Sequence, residues 1–192
     1  MKKTWIAIIV FILLAGIFMV PAYNGLVAKD ELFKKNFSEL QATYQRRLDL
    51  VPNLVNVVKA NADFEQTVLQ QVTEARALAM QVTQTSIPQG EGYKKLEEAQ
   101  GALAAATNRL IAVVENYPNL KATDAFLKLQ AQMEGTERRI KVARKDLNEA
   151  VQTYNQSVRS VPTNIVARLF GFAQKDGFQA DTGAAQPPEI KF

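Results

Sequence analysis

Phe126, Met133, Ile140, Leu147 and Tyr154 fall at an unbroken seven-residue interval, and no feature constrains this chain more. A strict heptad keeps one seam facing a partner when helices supercoil left-handedly. The spacing therefore predicts one long helix packed lengthwise against another. On its flank Glu134 precedes Arg138 and Glu137 precedes Lys141, each by four residues. That is the favoured order for helix ion pairs, each contributing about 0.2–0.5 kcal/mol. Thr123 or Asp124 is the expected cap of this helix and Pro162 its stop. "TNIVARLFGF", Thr163 to Phe172, reads as a short amphipathic piece.

Two further apolar stripes precede it. Leu54, Val58, Val68, Val72, Ala75 and Ala79 recur at spacings close to three or four, or multiples of them. Leu96, Leu103, Leu110, Val113 and Tyr117 follow after a turn at "SIPQGEG", Ser86 to Gly92, and are ended by Pro118. No strand alternation appears. The expectation is an all-α fold whose body is an antiparallel bundle of three long helices.

At the amino terminus an uncharged run extends from Trp5 to Ala22 behind Lys2 and Lys3. Its 18 residues reach about 27 Å as a helix, close to the hydrocarbon thickness of a bilayer. Trp5 and Tyr23 sit at its ends, where amphipathic aromatics favour the membrane interface. The preferred reading is an uncleaved transmembrane helix at residues 1–22. A cleavable secretory signal ending Val20-Pro21-Ala22 is the rival. Leaving the short basic end in the cytoplasm puts the body on the extracytoplasmic side of the inner membrane. The anchor is expected to continue as helix into the body at 23–172, and 173–192 to form a flexible tail.

Composition closes most catalytic routes. The chain has no cysteine and no histidine among its 192 residues, which removes thiol nucleophiles, disulfides, imidazole bases and the usual transition-metal ligands. A net charge of +4 falls short of a nucleic-acid-binding footprint. The expectations are no enzyme activity, no cofactor, no metal and no nucleic-acid partner.

"TYQRRLDLVPNLVNVVK", Thr43 to Lys59, is the densest polar knot. Three readings of Arg46, Arg47, Asp49, Pro52 and Asn53 stay open. Pro52 can kink the helix where the membrane-proximal stalk enters the bundle. Arg46 or Arg47 can pair with a buried carboxylate such as Glu137 on the heptad helix. The adjacent arginines can also hold an anionic head group. "RRIKVARK", Arg138 to Lys145, reads as a mixed-charge surface face. At the carboxyl end, "AAQPPEIKF" offers Ile190 and Phe192 in the spacing that a PDZ domain reads from a terminal strand. Two readings stay open there: an idle tail, and docking on a PDZ-bearing, membrane-associated partner.

Several of these blocks together resemble the LemA family: "YNGLV", "QRRLDLVPNLV", "VTEARA", "LQAQMEGTERRIKVARKDLNEAVQTYN" and "VPTNIVARLFGF", from about Tyr23 to Phe178. The resemblance implies a membrane-anchored bacterial protein with a helical-bundle body and no established enzymatic activity. Carried over by position, its motif residues are Tyr23, Asn24, Arg46, Arg47, Asp49, Pro52, Asn53, Thr73, Arg76, Glu137, Arg144, Asn155 and Phe172. Leu147 departs from the aromatic expected before Asn148. Two functions are expected from all this. One is a scaffold that binds partners or copies of itself without catalysis. The alternative is an envelope sensor that holds an anionic ligand or lipid head group through Arg46, Arg47 and Arg144.

Overall fold

The computed structural model describes residues 2–60, 65–83, 87–88 and 90–178. Six helices follow in order: α1 (Lys2–Lys59), α2 (Gln66–Thr83), α3 (Glu91–Val114), the single turn α4 (Pro118–Lys121), α5 (Asp124–Arg159) and α6 (Thr163–Phe170). No strand occurs among the described residues. The distal half of α1, with α2, α3 and α5, makes a four-helix antiparallel bundle. Pairs such as Asn36 with Asp146 and Arg47 with Glu137 show α1 and α5 running opposite ways. Gln41 with Thr83 and Arg76 with Leu48 show the same for α1 and α2.

The three-helix expectation is corrected to four because the first apolar stripe is divided. Leu54 and Val58 end α1, while Val68, Val72 and Ala79 belong to α2. The stripe kept its phase because both halves face one core, where Leu54, Val58, Val68 and Val72 pack with Leu103, Leu110, Val114 and Met133. Helical periodicity reports the buried face and is silent on a reversal between two faces of the same core.

The heptad seam is buried throughout: Phe126, Met133, Ile140, Leu147 and Tyr154 are each 5% exposed or less. Thr123 caps α5, its hydroxyl accepting from the Phe126 N–H at 3.3 Å. Pro162 lies between α5 and α6 and serves as the N-cap of α6. Gly171 ends α6 at φ 76°, the left-handed position that suits a residue without a Cβ. The predicted flank pairs give way to other partners: Glu137 takes Arg47 from α1, and Glu134 accepts from Gln130. Of the expected turn at Ser86–Gly92, Ile87, Pro88 and Gly90 are described and none is helical, whereas Glu91 and Gly92 already belong to α3.

α1 is continuous from Lys2 to Lys59 and runs through both Pro21 and Pro52. Among the described residues no helix is long and apolar enough to cross a membrane. The side chains at positions 6–15 of the apolar run lie outside those described, so the expected span at Trp5–Ala22 falls largely outside them too. Near the end of that run α6 packs on α1. Val166 and Ala167 meet Leu26, Met19 and Ala22, and the Tyr23 ring stands edge-on to Phe170 and Phe172.

Of the stretch expected as a flexible tail from residue 173, only 173–178 are described. Residues 172–178 have no helix, yet they lie back along α5 with Phe178 buried. The remainder of the expected tail, including Ile190 and Phe192, lies outside the described residues.

Candidate functional site

The polar knot resolves into two separate devices. Arg47 projects from α1 into the bundle and is 3% exposed. Its Nη1 donates to both the carbonyl and the side-chain oxygen of Gln100 on α3, each at 3.0 Å. Its Nη2 pairs with Glu137 on α5. Gln100 in turn donates to the Thr83 hydroxyl at 2.7 Å, and that hydroxyl donates to the Ala79 carbonyl on α2. One buried cation thus links all four helices, with the Tyr44 ring 5.8 Å away. Its Nε is buried and has no hydrogen-bond partner.

Pro52 explains the second device. Without an N–H, it leaves the carbonyl of Leu48, four residues earlier, without its helical donor. Arg76 of α2 supplies the missing hydrogen, its Nε donating to Leu48 O at 2.9 Å. The helix therefore continues through the proline and uses the freed carbonyl as a tie to its neighbour.

The other predicted residues divide accordingly. Arg46, Asp49 and Asn53 are exposed, and Asp49 accepts from Gln45 one turn earlier on α1. Arg46 does not join Arg47. Thr73 is exposed and its hydroxyl donates to the Leu69 carbonyl within α2. Arg144 is half-buried, pairs with Glu97 of α3 and stacks over the Phe178 ring at 4.5 Å. A groove of about 770 Å³ opens between α3 and α5, floored by Tyr44 and Arg47. Arg138, Lys141, Arg144 and Lys145 stand around it against Glu97 and Glu137. The stretch read as a solvated face is thus one wall of a cationic cleft, which only the packing of α3 beside α5 reveals.

Asn155 faces residues 172–178. Its Nδ2 donates to the Lys175 carbonyl at 2.7 Å and its Oδ1 accepts the Lys175 N–H at 2.8 Å. Asn148, one heptad earlier, does the same for Phe178, at 3.1 and 2.9 Å. Leu147 beside it is fully buried, so the departure from an aromatic leaves the Asn148 bonds in place. The Lys175 ammonium lies 2.7 Å from Asp30 and over the rings of Phe33 and Tyr154. Burial raises the Asp30 pKa, but hydrogen bonds from Lys175 and Lys34 outweigh it and hold the carboxyl below its usual value. Tyr93, buried next to Phe178 and facing Asp176, is pushed up to about 12. Sequence reading missed Asn148, Lys175 and Phe178 as a unit. The one available signal was the seven-residue spacing of the two asparagines.

No group of three or more acidic side chains gathers to hold a metal among the described residues. What the described residues present is a cleft of cations beside two carboxylates, and two asparagine amides paired with backbone.

Comparison with known proteins gives a consistent result. The family model described as LemA family matches residues 36–192. Magnetosome protein MamQ 2 of Paramagnetospirillum magneticum is 28% identical over 187 residues, covering 88% of this chain and 69% of the relative. Magnetosome protein MamQ of Magnetospirillum gryphiswaldense is 26% identical over the same shares. Protein LemA of Metamycoplasma hominis is 24% identical, covering 90% of this chain and 77% of the relative.

Proposed function

This chain belongs to the LemA family, and from that premise we propose that it is a single-pass, membrane-anchored helical-bundle scaffold that binds copies of itself or partners without catalysis. The bacterial inner membrane is its place, with the body on the extracytoplasmic side. The observation that carries the reading is an exposed apolar helix face standing beside the end of an uncharged stretch of sequence. The uncharged run Trp5–Ala22 ends where α6 docks. α6 turns Ile165, Leu169 and Phe170 outward, at 64%, 65% and 51% exposure. An amphipathic helix with aliphatic and aromatic side chains free lies naturally in a headgroup layer. Two of the relatives are named as magnetosome proteins, and the proposal would have this chain share their setting.

The test is extraction of membranes with alkaline carbonate, followed by mass photometry in mild detergent. The scaffold reading expects the chain to stay in the pellet and then to run as an oligomer or with a co-purifying protein. A soluble, strictly monomeric chain would overturn it.

A second reading is favoured by the cationic cleft: an anionic ligand held between α3 and α5. Arg46 has no part in it, and the exposed Lys141 and Lys145 take its place beside Arg144. Replacing both lysines by glutamine should abolish binding to vesicles containing anionic lipid while leaving helicity intact. Unchanged binding ends that reading. The PDZ-type tail at Ile190 and Phe192 stays a proposal of its own. A single glycine added after Phe192 should eliminate capture of a PDZ domain, and unaltered capture would dismiss it.

A further inference from the structure

Every residue from Lys175 to Phe178 is read by the bundle. The Lys175 ammonium occupies a cage of Asp30, Phe33 and Tyr154. The Asp176 carboxylate accepts the Gly90 N–H at 2.8 Å, just ahead of α3. At Gly177 a Cβ would meet Asn148 Oδ1 at 2.8 Å, so any larger residue there must displace the amide that holds Phe178. The Phe178 ring stands edge-on to Tyr93 at 5.3 Å with Arg144 over its face. The backbone is held at Lys175 and Phe178 by the asparagine pairs already described.

The spacing of those clamps has a geometric reason. Seven residues of α-helix rise about 10.5 Å, and three steps of extended chain cover about 10 Å. Asn148 and Asn155 therefore match residues three apart on an extended segment and no other register. Backbone bonds with side-chain pockets at fixed intervals are how folded domains recognise peptides in trans. A tether needs none of that selectivity.

We propose that this seat between α3 and α5 is a peptide-binding site, and that residues 175–178 of a second copy of the chain enter it in place of the resident segment. The inference rests on the self-association reading above and specifies its contact. The occupant is a second copy because its Lys-Asp-Gly-Phe is the sequence whose every position the seat is seen to fit. Exchange keeps each of these contacts and changes only which copy supplies the segment, the condition under which swapping forms dimers at low cost. Release from the home seat unfolds no helix, since Gly171 already ends α6 and residues 172–178 are not helical.

The chain has no cysteine, so single thiols can be placed cleanly. Gln152 and Gln174 are exposed and line the same groove, one on α5 and one on the segment. Full-length chains carrying Gln152→Cys alone and Gln174→Cys alone are co-expressed, extracted in mild detergent and treated with a short thiol–thiol cross-linker. A cross-linked heterodimer is the expected product. Its yield should drop about tenfold when Phe178→Ala is placed in the Gln174→Cys copy, the scale of truncating a buried anchor. Asn148→Ala with Asn155→Ala in the accepting copy should lower it as far.

Cross-linking confined to a chain that bears both cysteines overturns the proposal, as does a heterodimer indifferent to Phe178. An oligomer seen by mass photometry without the cross-link removes the exchange and leaves self-association standing. A strict monomer removes both.

Discussion

Arg47 and Lys175 are both cations held by a carboxylate against aromatic rings, yet the bundle uses them in opposite ways. Arg47 is sealed in the interior, and its partners come from α3 and α5, so nothing near it moves without moving a helix. Lys175 sits at the rim on a segment without helix, where Asp30 and Phe33 of α1 and Tyr154 of α5 hold it. The interior cation fixes how the four helices meet. The rim cation fixes where a detachable segment lies. A polar contact becomes architecture or recognition according to how many elements must separate to break it.

The contrast is broken most severely at its interior end. Arg47→Ala removes the cation that joins four helices and leaves the Gln100 side-chain oxygen without its donor. The expected loss is about 3 kcal/mol, moderated because Glu137 can reach water, with a fall of about 6–12 °C in Tm by circular dichroism in detergent. A change under about 1 kcal/mol would place Arg47 with the rim.

Phe178→Ala should cost about 2 kcal/mol, but locally. Protease cleavage after Lys175 should speed up while the thermal midpoint of the bundle barely moves. A midpoint that falls as far as in Arg47→Ala would show that rim and interior unfold as one unit.

Arg76→Ala sharpens the interior side. It strips the Leu48 carbonyl of its donor and is expected to cost about 1–2 kcal/mol. In a Pro52→Ala background the helix supplies its own N–H, and most of that cost should vanish. Equal costs in both backgrounds would show that Arg76 acts through something other than the proline.

The smallest effect is a pH dependence confined to the rim. Asp30 has its folded-state pKa below the ordinary 3.8, so its contribution is complete above that value. It is lost as pH falls through the lower folded-state value, where the carboxylate gains a proton. A fluorescent label on Gln174→Cys should report the segment seated from neutral pH down to about the ordinary carboxylate pKa, and released only below it. Release on raising the pH would contradict the assignment.

Much of this was legible in the sequence for reasons that the two regions also explain. The heptad Phe126–Tyr154 and the cap at Thr123 are local patterns, and each marks what it does. Glu137 as partner of Arg47 could be named because a buried arginine demands a carboxylate and the heptad helix carries one on its flank. The split of the first stripe was hidden, since one core accepts both helices in the same phase. The role of Pro52 was hidden too, because its consequence falls on the Leu48 carbonyl and is answered by Arg76, 28 residues away. The rim seat was least visible. "AQKDGF" has the composition of a loose end, and what orders it is the amide groups of two asparagines that themselves look like surface filler.

α1 has one more consequence. It is a single rod from Lys2 to Lys59, so no joint separates its greasy end from Arg47. Between Ala22 and Arg47 it extends about 38 Å, and a lean of about 10° at one end displaces the other by about 6–7 Å. Under the anchoring proposed above, a thinner or thicker bilayer that alters the lean of this lever would carry the four-helix junction sideways by more than a full helix turn.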